Sequence, residues 1–153
     1  AMNTVLLFLH LAGVIVWVGG MFFVHFCLRP VVTEQLPPPQ QLLLMVAVLG
    51  RFFAAVGLAV VTIVFSGFVR MGALGFAHAP VHWHVMALLG SVMALVFAVI
   101  YFVFFPQMKA GVAAQTWPVA GAAMNRIRHL VVVNLLLGGL TVAVATLGAG
   151  FVR

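Results

Sequence analysis

Four long apolar runs divide the chain, and each has about the length of a membrane span. They cover about residues 3–28, 42–69, 81–105 and 127–147, and polar or proline-containing segments separate them. A transmembrane helix needs roughly 20 mainly apolar residues, and in lipid its backbone must satisfy its own hydrogen bonds. The pattern therefore predicts an all-α fold in which residues 1–153 form one domain, an integral membrane four-helix bundle.

Prolines and glycines mark the predicted ends of these spans. Pro30 closes the first span, and the loop after it contains Glu34 and the prolines 37–39, which cannot continue a regular helix. A glycine-rich loop, residues 71–80, follows the second span, and the third span ends before Pro106. The loops are short, which leaves no room for a second, soluble domain.

Composition supports the membrane class and excludes two others. The chain is 66% hydrophobic and 5% charged, whereas a soluble domain has about 25% charged residues and a disordered chain has low hydrophobicity. The formal net charge of +6 is not that of a nucleic-acid-binding protein, because the basic residues stand singly at the ends of apolar runs. At those positions they would meet lipid headgroups, so the bilayer is the predicted partner.

The basic residues also predict the orientation of the bundle. The side holding the second loop and both termini has two of them, Arg70 and Arg153. The side holding the first and third loops has five, namely Arg29, Arg51, Lys109, Arg126 and Arg128. Cytoplasmic loops carry an excess of Lys and Arg. We therefore expect a bacterial inner-membrane protein with both termini outside.

Six histidines in so apolar a chain are the main candidates for chemistry, because ionisable groups inside a membrane are costly and mark functional sites. With a helical rise of about 1.5 Å per residue, they form two levels. His10 lies with His82 or His84 near the outer side. His25 lies with His129 near the inner side. On the third span His82 and His84 point in different directions, so both cannot face the bundle.

Two chemistries fit histidines placed in this way. Imidazole combined with thioether suits Cu(I). Met21 shares a helical face with His10, and Met86 shares one with His82. Alternatively, imidazoles from two helices can bind the iron of a b-type haem inside a bundle.

Other polar residues bear on this choice. In the haem alternative, Arg70 outside and Arg126 or Arg128 inside could meet the propionates.

Trp83 fits the aromatic belt at a membrane interface. Glu34 is the chain's single acidic residue, so a hydrolytic or acid–base enzyme is poorly supported. An oxidoreductase remains open if haem is bound.

The first span carries a sequence resemblance. Its pattern of His10, Trp17 and Gly20-Met21 resembles the first span of CopD-type copper-resistance membrane proteins, and weaker similarities extend over nearly the whole chain. The resemblance implies that the protein binds or translocates copper in the inner membrane, with a periplasmic copper carrier as partner. It implies an outer site formed by His10 and His84 with Met86 and Met21 below it, and an inner exit at His25 and His129.

The same first-span pattern is similar to that of HemJ-like membrane proteins. These are associated with b-type haem and carry a histidine at the place of His84. The similarity implies a haem-binding protein with a redox partner, using the same pair, His10 and His84. HemJ-like proteins have a lysine where Met86 stands, so their porphyrinogen-oxidising activity is not expected here. Helical periodicity favours His82 as the partner of His10, whereas the resemblance favours His84, and we take His84.

Overall fold

A computed structural model of the chain describes residues 2–75, 77–78 and 80–151, with side chains described for residues 4–75, 77–78 and 80–148. Every regular element in these residues is helical, which confirms the predicted all-α fold. The elements join into four long helices, each long and apolar enough to cross a membrane. They are α1 (residues 2–35), α2 (Pro38–Leu74), α3 (Val81–Ala113) and α4 (Trp117–Phe151).

Helices α1 and α3 continue through prolines at which the sequence predicts their ends. Two wide π-helical turns, Val24–Leu28 and Ile100–Phe104, end two residues before Pro30 and Pro106. Proline lacks the N–H that bonds four residues back, and its ring clashes with that carbonyl. In both helices that carbonyl lies within the π turn, where the spacing is already altered. Both helices therefore extend beyond the residues at which the sequence predicts the first and third spans to end.

The other helix ends also differ from prediction. Pro38 and Pro39 lie in the first turn of α2, where no N–H is needed, so these two prolines begin a helix rather than interrupt one. Helix α2 ends at Leu74 and is followed by Gly75, whose φ of 83° favours glycine. The second loop is thus shorter than residues 71–80. Helix α4 begins at Trp117, ten residues before the predicted span.

The four helices are longer than a bilayer is thick. With 37 residues, α2 is about 55 Å long, and the hydrocarbon core of a bilayer is about 30 Å. Large apolar side chains such as Phe8, Leu58, Phe102 and Leu136 are exposed on the outside of the bundle. Such a surface faces lipid, and the protein is a membrane protein.

Helix α1 packs along α2, and α3 packs along α4. Glycine allows close approach in both pairs. A Cβ added to Gly13 on α1 would lie 2.7 Å from Ile63 of α2, and one added to Gly111 on α3 would lie 2.8 Å from the backbone nitrogen of Ala120 on α4. Near mid-bundle, the buried Asn134 of α4 donates from Nδ2 to the Met93 carbonyl of α3, at 3.1 Å.

Candidate functional site

A cavity of about 350 Å³ lies between all four helices, at the end of the bundle where α1 begins. We call it the histidine cavity, because His10 of α1 and His82 of α3 both line it. Its walls are mainly apolar, with further polar groups at Arg70, Ser91 and Thr141. Sites for small molecules and cofactors have this size and this mixture of an apolar wall and a few polar groups.

His10 is held by two acceptors on α2. Its Nδ1 lies 3.2 Å from the Ile63 carbonyl and 3.1 Å from Ser66 Oγ, and Ser66 Oγ in turn donates to the same carbonyl. A carbonyl can only accept, so Nδ1 carries the proton. In the neutral ring Nε2 then has a free lone pair. Metal-binding histidines are oriented in this way, with one ring N–H donated to a backbone carbonyl.

His82 lies in the wall of the histidine cavity, half-buried, and its Nδ1 is buried without a hydrogen-bond partner among the described residues. A buried polar atom without a partner in a native structure calls for an explanation, of which a ligand is one. His84 is exposed and does not line the cavity. The fold therefore brings His82 to the cavity with His10, whereas the resemblance favours His84.

Three methionines line the histidine cavity, Met71, Met86 and Met93. The expected position of Met86 beside His82 agrees with this geometry. Met21 lies elsewhere, because it is buried in the core and does not line the cavity. Within the part of the chain that the structure describes, no three histidine, cysteine or acidic side chains come together as a metal site.

The histidine cavity carries positive charge. Arg70 lines it, and its guanidinium lies 4.9 Å from the ring centre of Trp83, which also lines the cavity. Glu34, the single acidic residue, does not line it. Trp83 was expected only as an interfacial anchor; here it also positions an arginine through a cation–π contact.

Aromatic side chains close the histidine cavity on its inner side. Trp17 lines the cavity, is buried, and packs edge-on against Phe97 at 6.4 Å. Phe97 in turn contacts Phe53, and Phe53 contacts Phe105. We call these four packed side chains the aromatic layer. They lie between the cavity and the opposite end of the bundle.

The opposite end has a much smaller hollow of about 20 Å³, which we call the arginine pocket. Arg29, Arg128 and His25 line it together with apolar side chains. His129 is exposed and does not line it. The expected pair of His25 and His129 is thus not brought together at a shared cavity, and a hollow of this size holds no haem macrocycle.

Ser66 is the functional candidate that sequence reasoning missed. The sequence shows it only as one of several small residues along the second span. Its role depends on the side chain opposite, since His10 lies 56 positions away along the chain. Helical periodicity could have placed Ser66 on a packed face of α2, but not against a particular histidine.

No family model, no curated protein and no solved structure matches this chain. The resemblance to CopD-type and HemJ-like proteins therefore stays a prediction. Fold and surface together identify the chain as an all-α membrane protein.

Proposed function

We propose that this protein is a membrane cytochrome that binds a b-type haem in the histidine cavity and exchanges electrons with a redox partner. The observation that carries the proposal is His10, which lines a cofactor-sized cavity and is held by α2 through Nδ1, so that the lone pair of its neutral ring is on Nε2. The basic residues favour a bacterial inner membrane with this cavity toward the outer side.

The size of the cavity favours a haem over a bare ion. A volume of about 350 Å³ lies in the range of roughly 300–1,000 Å³ that organic ligands and cofactors occupy. A single metal ion that is bound directly by protein side chains does not need a cavity of this volume. The apolar wall suits a macrocycle, which is itself largely apolar.

The charge of the cavity points the same way. Arg70 is positive, and no acidic side chain lines the wall. A copper ion would add positive charge to a low-dielectric site whose wall contains the Arg70 guanidinium and no carboxylate side chain. A haem brings two propionates, and an arginine can bind a carboxylate with two parallel hydrogen bonds.

The chain's own residues take distinct parts in this proposal. His10 and His82 come from different helices and would be the residues that hold the haem iron, with Ser66 and the Ile63 carbonyl orienting His10. Arg70 would hold a propionate. The haem, when bound, supplies one-electron transfer between its ferric and ferrous states. Trp17 and the aromatic layer below it would keep the reactive centre away from the opposite side of the membrane.

The test is an absorption spectrum of protein purified from cells supplied with haem precursor, in oxidised and dithionite-reduced forms. We expect a Soret band that shifts on reduction and the sharp visible bands of a low-spin bis-histidine haem. His10→Ala should lose them. His82→Ala should lose the low-spin bands, whereas His84→Ala, which changes a histidine two residues away that lies outside the cavity, should keep the spectrum of the unmodified protein.

Two results would overturn the haem proposal. One is a colourless protein that also fails to bind added hemin in a titration. The other is a haem spectrum that survives His10→Ala unchanged.

Copper binding is the second candidate, and the donor set of the cavity favours it. Imidazoles of His10 and His82 and the thioether of Met86 line one cavity, and such ligands suit Cu(I). Metal analysis on the same preparation tests it. About one copper per chain, lost in His10→Ala and in Met86→Leu, would support this candidate in place of haem. The aromatic layer below Trp17 favours binding of copper over its passage through the bundle.

A further inference from the structure

The arginine pocket, at the end of the bundle away from the histidine cavity, concentrates positive charge. Arg29 on α1 and Arg128 on α4 both line it, so two like charges lie at one small hollow. His25 lies one turn before Arg29 and faces the same pocket. Two guanidinium groups brought together in this way are unfavourable unless an anion lies between them.

The described part of the chain supplies no such anion. Glu34, the single acidic residue, is exposed and does not line the pocket. Arg29 Nε is buried and has no hydrogen-bond partner among the described residues. A buried charged donor without an acceptor is costly, and an anionic ligand at the pocket would supply that acceptor.

We propose that the arginine pocket binds a phosphate group, that of an anionic lipid headgroup or of a soluble phosphate. Guanidinium groups match the geometry of phosphate oxygens and bind them with paired hydrogen bonds. A hollow of about 20 Å³ has room for phosphate oxygens while the rest of the ligand lies outside. Val24 and Met45 in its wall reduce the screening of these charges by water.

This site is independent of the haem proposal. It lies beyond the aromatic layer that closes the histidine cavity, and the two sites share no lining residue. Phosphate binding can therefore fail while haem binding stands, and the reverse.

Lipid binding to the purified protein in non-ionic detergent tests the proposal. Native mass spectrometry measures the affinity for added phosphatidylglycerol, with phosphatidylcholine as the zwitterionic reference. We expect one phosphatidylglycerol to bind more tightly than any phosphatidylcholine. Arg128→Gln should weaken that binding roughly tenfold or more, as expected for loss of a charged hydrogen-bonding partner.

Arg126→Gln is the matched control. It removes the same charge from the same helix two residues away, but Arg126 is exposed and its guanidinium lies over Phe104 at 5.7 Å. The affinity of the Arg126→Gln variant for phosphatidylglycerol should differ less than twofold from that of the unmodified protein. Equal weakening in both variants would mean general surface attraction and would overturn the proposal, as would unchanged binding in Arg128→Gln.

Thermal unfolding and competition with inorganic phosphate are the two further measurements. Without anionic lipid, Arg128→Gln should unfold at the same or a higher temperature than the unmodified protein, because a repulsion is removed; this separates loss of the site from loss of the fold. Inorganic phosphate added to the lipid complex distinguishes the two sources. Displacement of the lipid assigns the pocket to a soluble phosphate, and retention of the lipid assigns it to the headgroup.

Discussion

The two ends of the bundle contain sites of opposite kind. The histidine cavity is large and mainly apolar, and its wall contains the imidazole of His10 and that of His82, whose Nδ1 has no hydrogen-bond partner among the described residues. The arginine pocket is small and lined by two arginines, and Arg29 Nε has no hydrogen-bond partner within the described part of the chain. The first arrangement suits an electron-pair acceptor such as a metal centre, and the second suits an anion. The function of a histidine near a membrane surface therefore depends on the residues that surround it.

Packing differs between the same two ends. Gly90 lines the histidine cavity on the face of α3 that also carries Met86 and Met93, and a Cβ added there meets no atom within 4 Å. At the other end, a Cβ added to Gly111 would lie 2.8 Å from the Ala120 nitrogen. Helix α3 thus leaves open space toward the cavity at Gly90, whereas at Gly111 it is in close contact with α4. Such a division leaves room for a ligand without loosening the whole bundle.

The largest effect expected from this difference is on ligand binding. Gly90→Phe should place a ring in the histidine cavity and abolish haem binding, because the added side chain occupies the ligand's space. The fold should not suffer, since the site is empty of protein atoms and replacing a helical glycine gains up to about 1 kcal/mol. Absorbance at the Soret band and a thermal unfolding curve measure the two effects.

Gly139→Phe is the control for this substitution. Gly139 is exposed on α4, does not line the cavity, and also has no atom within 4 Å of an added Cβ. It should bind haem as the unmodified protein does. If Gly90→Phe also kept its full haem content, the ligand would have to lie outside the histidine cavity.

The reverse effect is expected at the tightly packed end. Gly111→Val should lower the free energy of unfolding by about 2 kcal/mol, because the new methyl groups force α3 and α4 apart. Gly121→Val adds the same side chain where nothing lies within 4 Å and should change stability by less than about 0.5 kcal/mol. Denaturation in mixed micelles with sodium dodecyl sulfate measures both. Equal stability of the two variants would contradict the close contact between the helices.

The fold could be predicted from sequence because one strong signal determines it. Four apolar runs of membrane length in a chain with 5% charged residues allow few alternatives to a helical bundle. The ends of the helices could not be predicted as well. The rule that proline ends a helix fails at Pro30 and Pro106 because a π turn precedes each, and the sequence carries no marker for that turn.

The candidate site could be predicted in part. His10 was a candidate from its depth alone, and helical periodicity grouped His82 with Met86. The structure has both of these residues in the cavity wall. The choice of His84 came from the resemblance and does not agree with this placement, because α3 begins at Val81 and the register of its first turn determines which histidine faces inward. Contacts between helices, such as that of Ser66 with His10, depend on packing that no single helix encodes.

The smallest effect concerns this contact. Ser66→Ala should weaken haem binding roughly tenfold, in line with losses seen when a group that orients a metal-binding histidine is removed. One of the two acceptors of His10 Nδ1 disappears, while the Ile63 carbonyl remains. The measurement is the dissociation constant from a hemin titration of the apoprotein. Ser66→Thr keeps the hydroxyl and should restore most of the affinity.

Ser91→Ala is the control for Ser66→Ala, because it also removes a hydroxyl group, in this case from a residue that lines the cavity. Ser91 lines the same cavity, but its hydroxyl donates to the Ala87 carbonyl within α3 at 2.7 Å. Its loss removes a hydroxyl from the wall without touching His10. If both alanine variants weakened haem binding equally, the polarity of the wall would be the cause. If Ser66→Ala alone weakened it, the ring of His10 would be held for a ligand by α2, and the difference between the two ends of the bundle would extend to single hydrogen bonds.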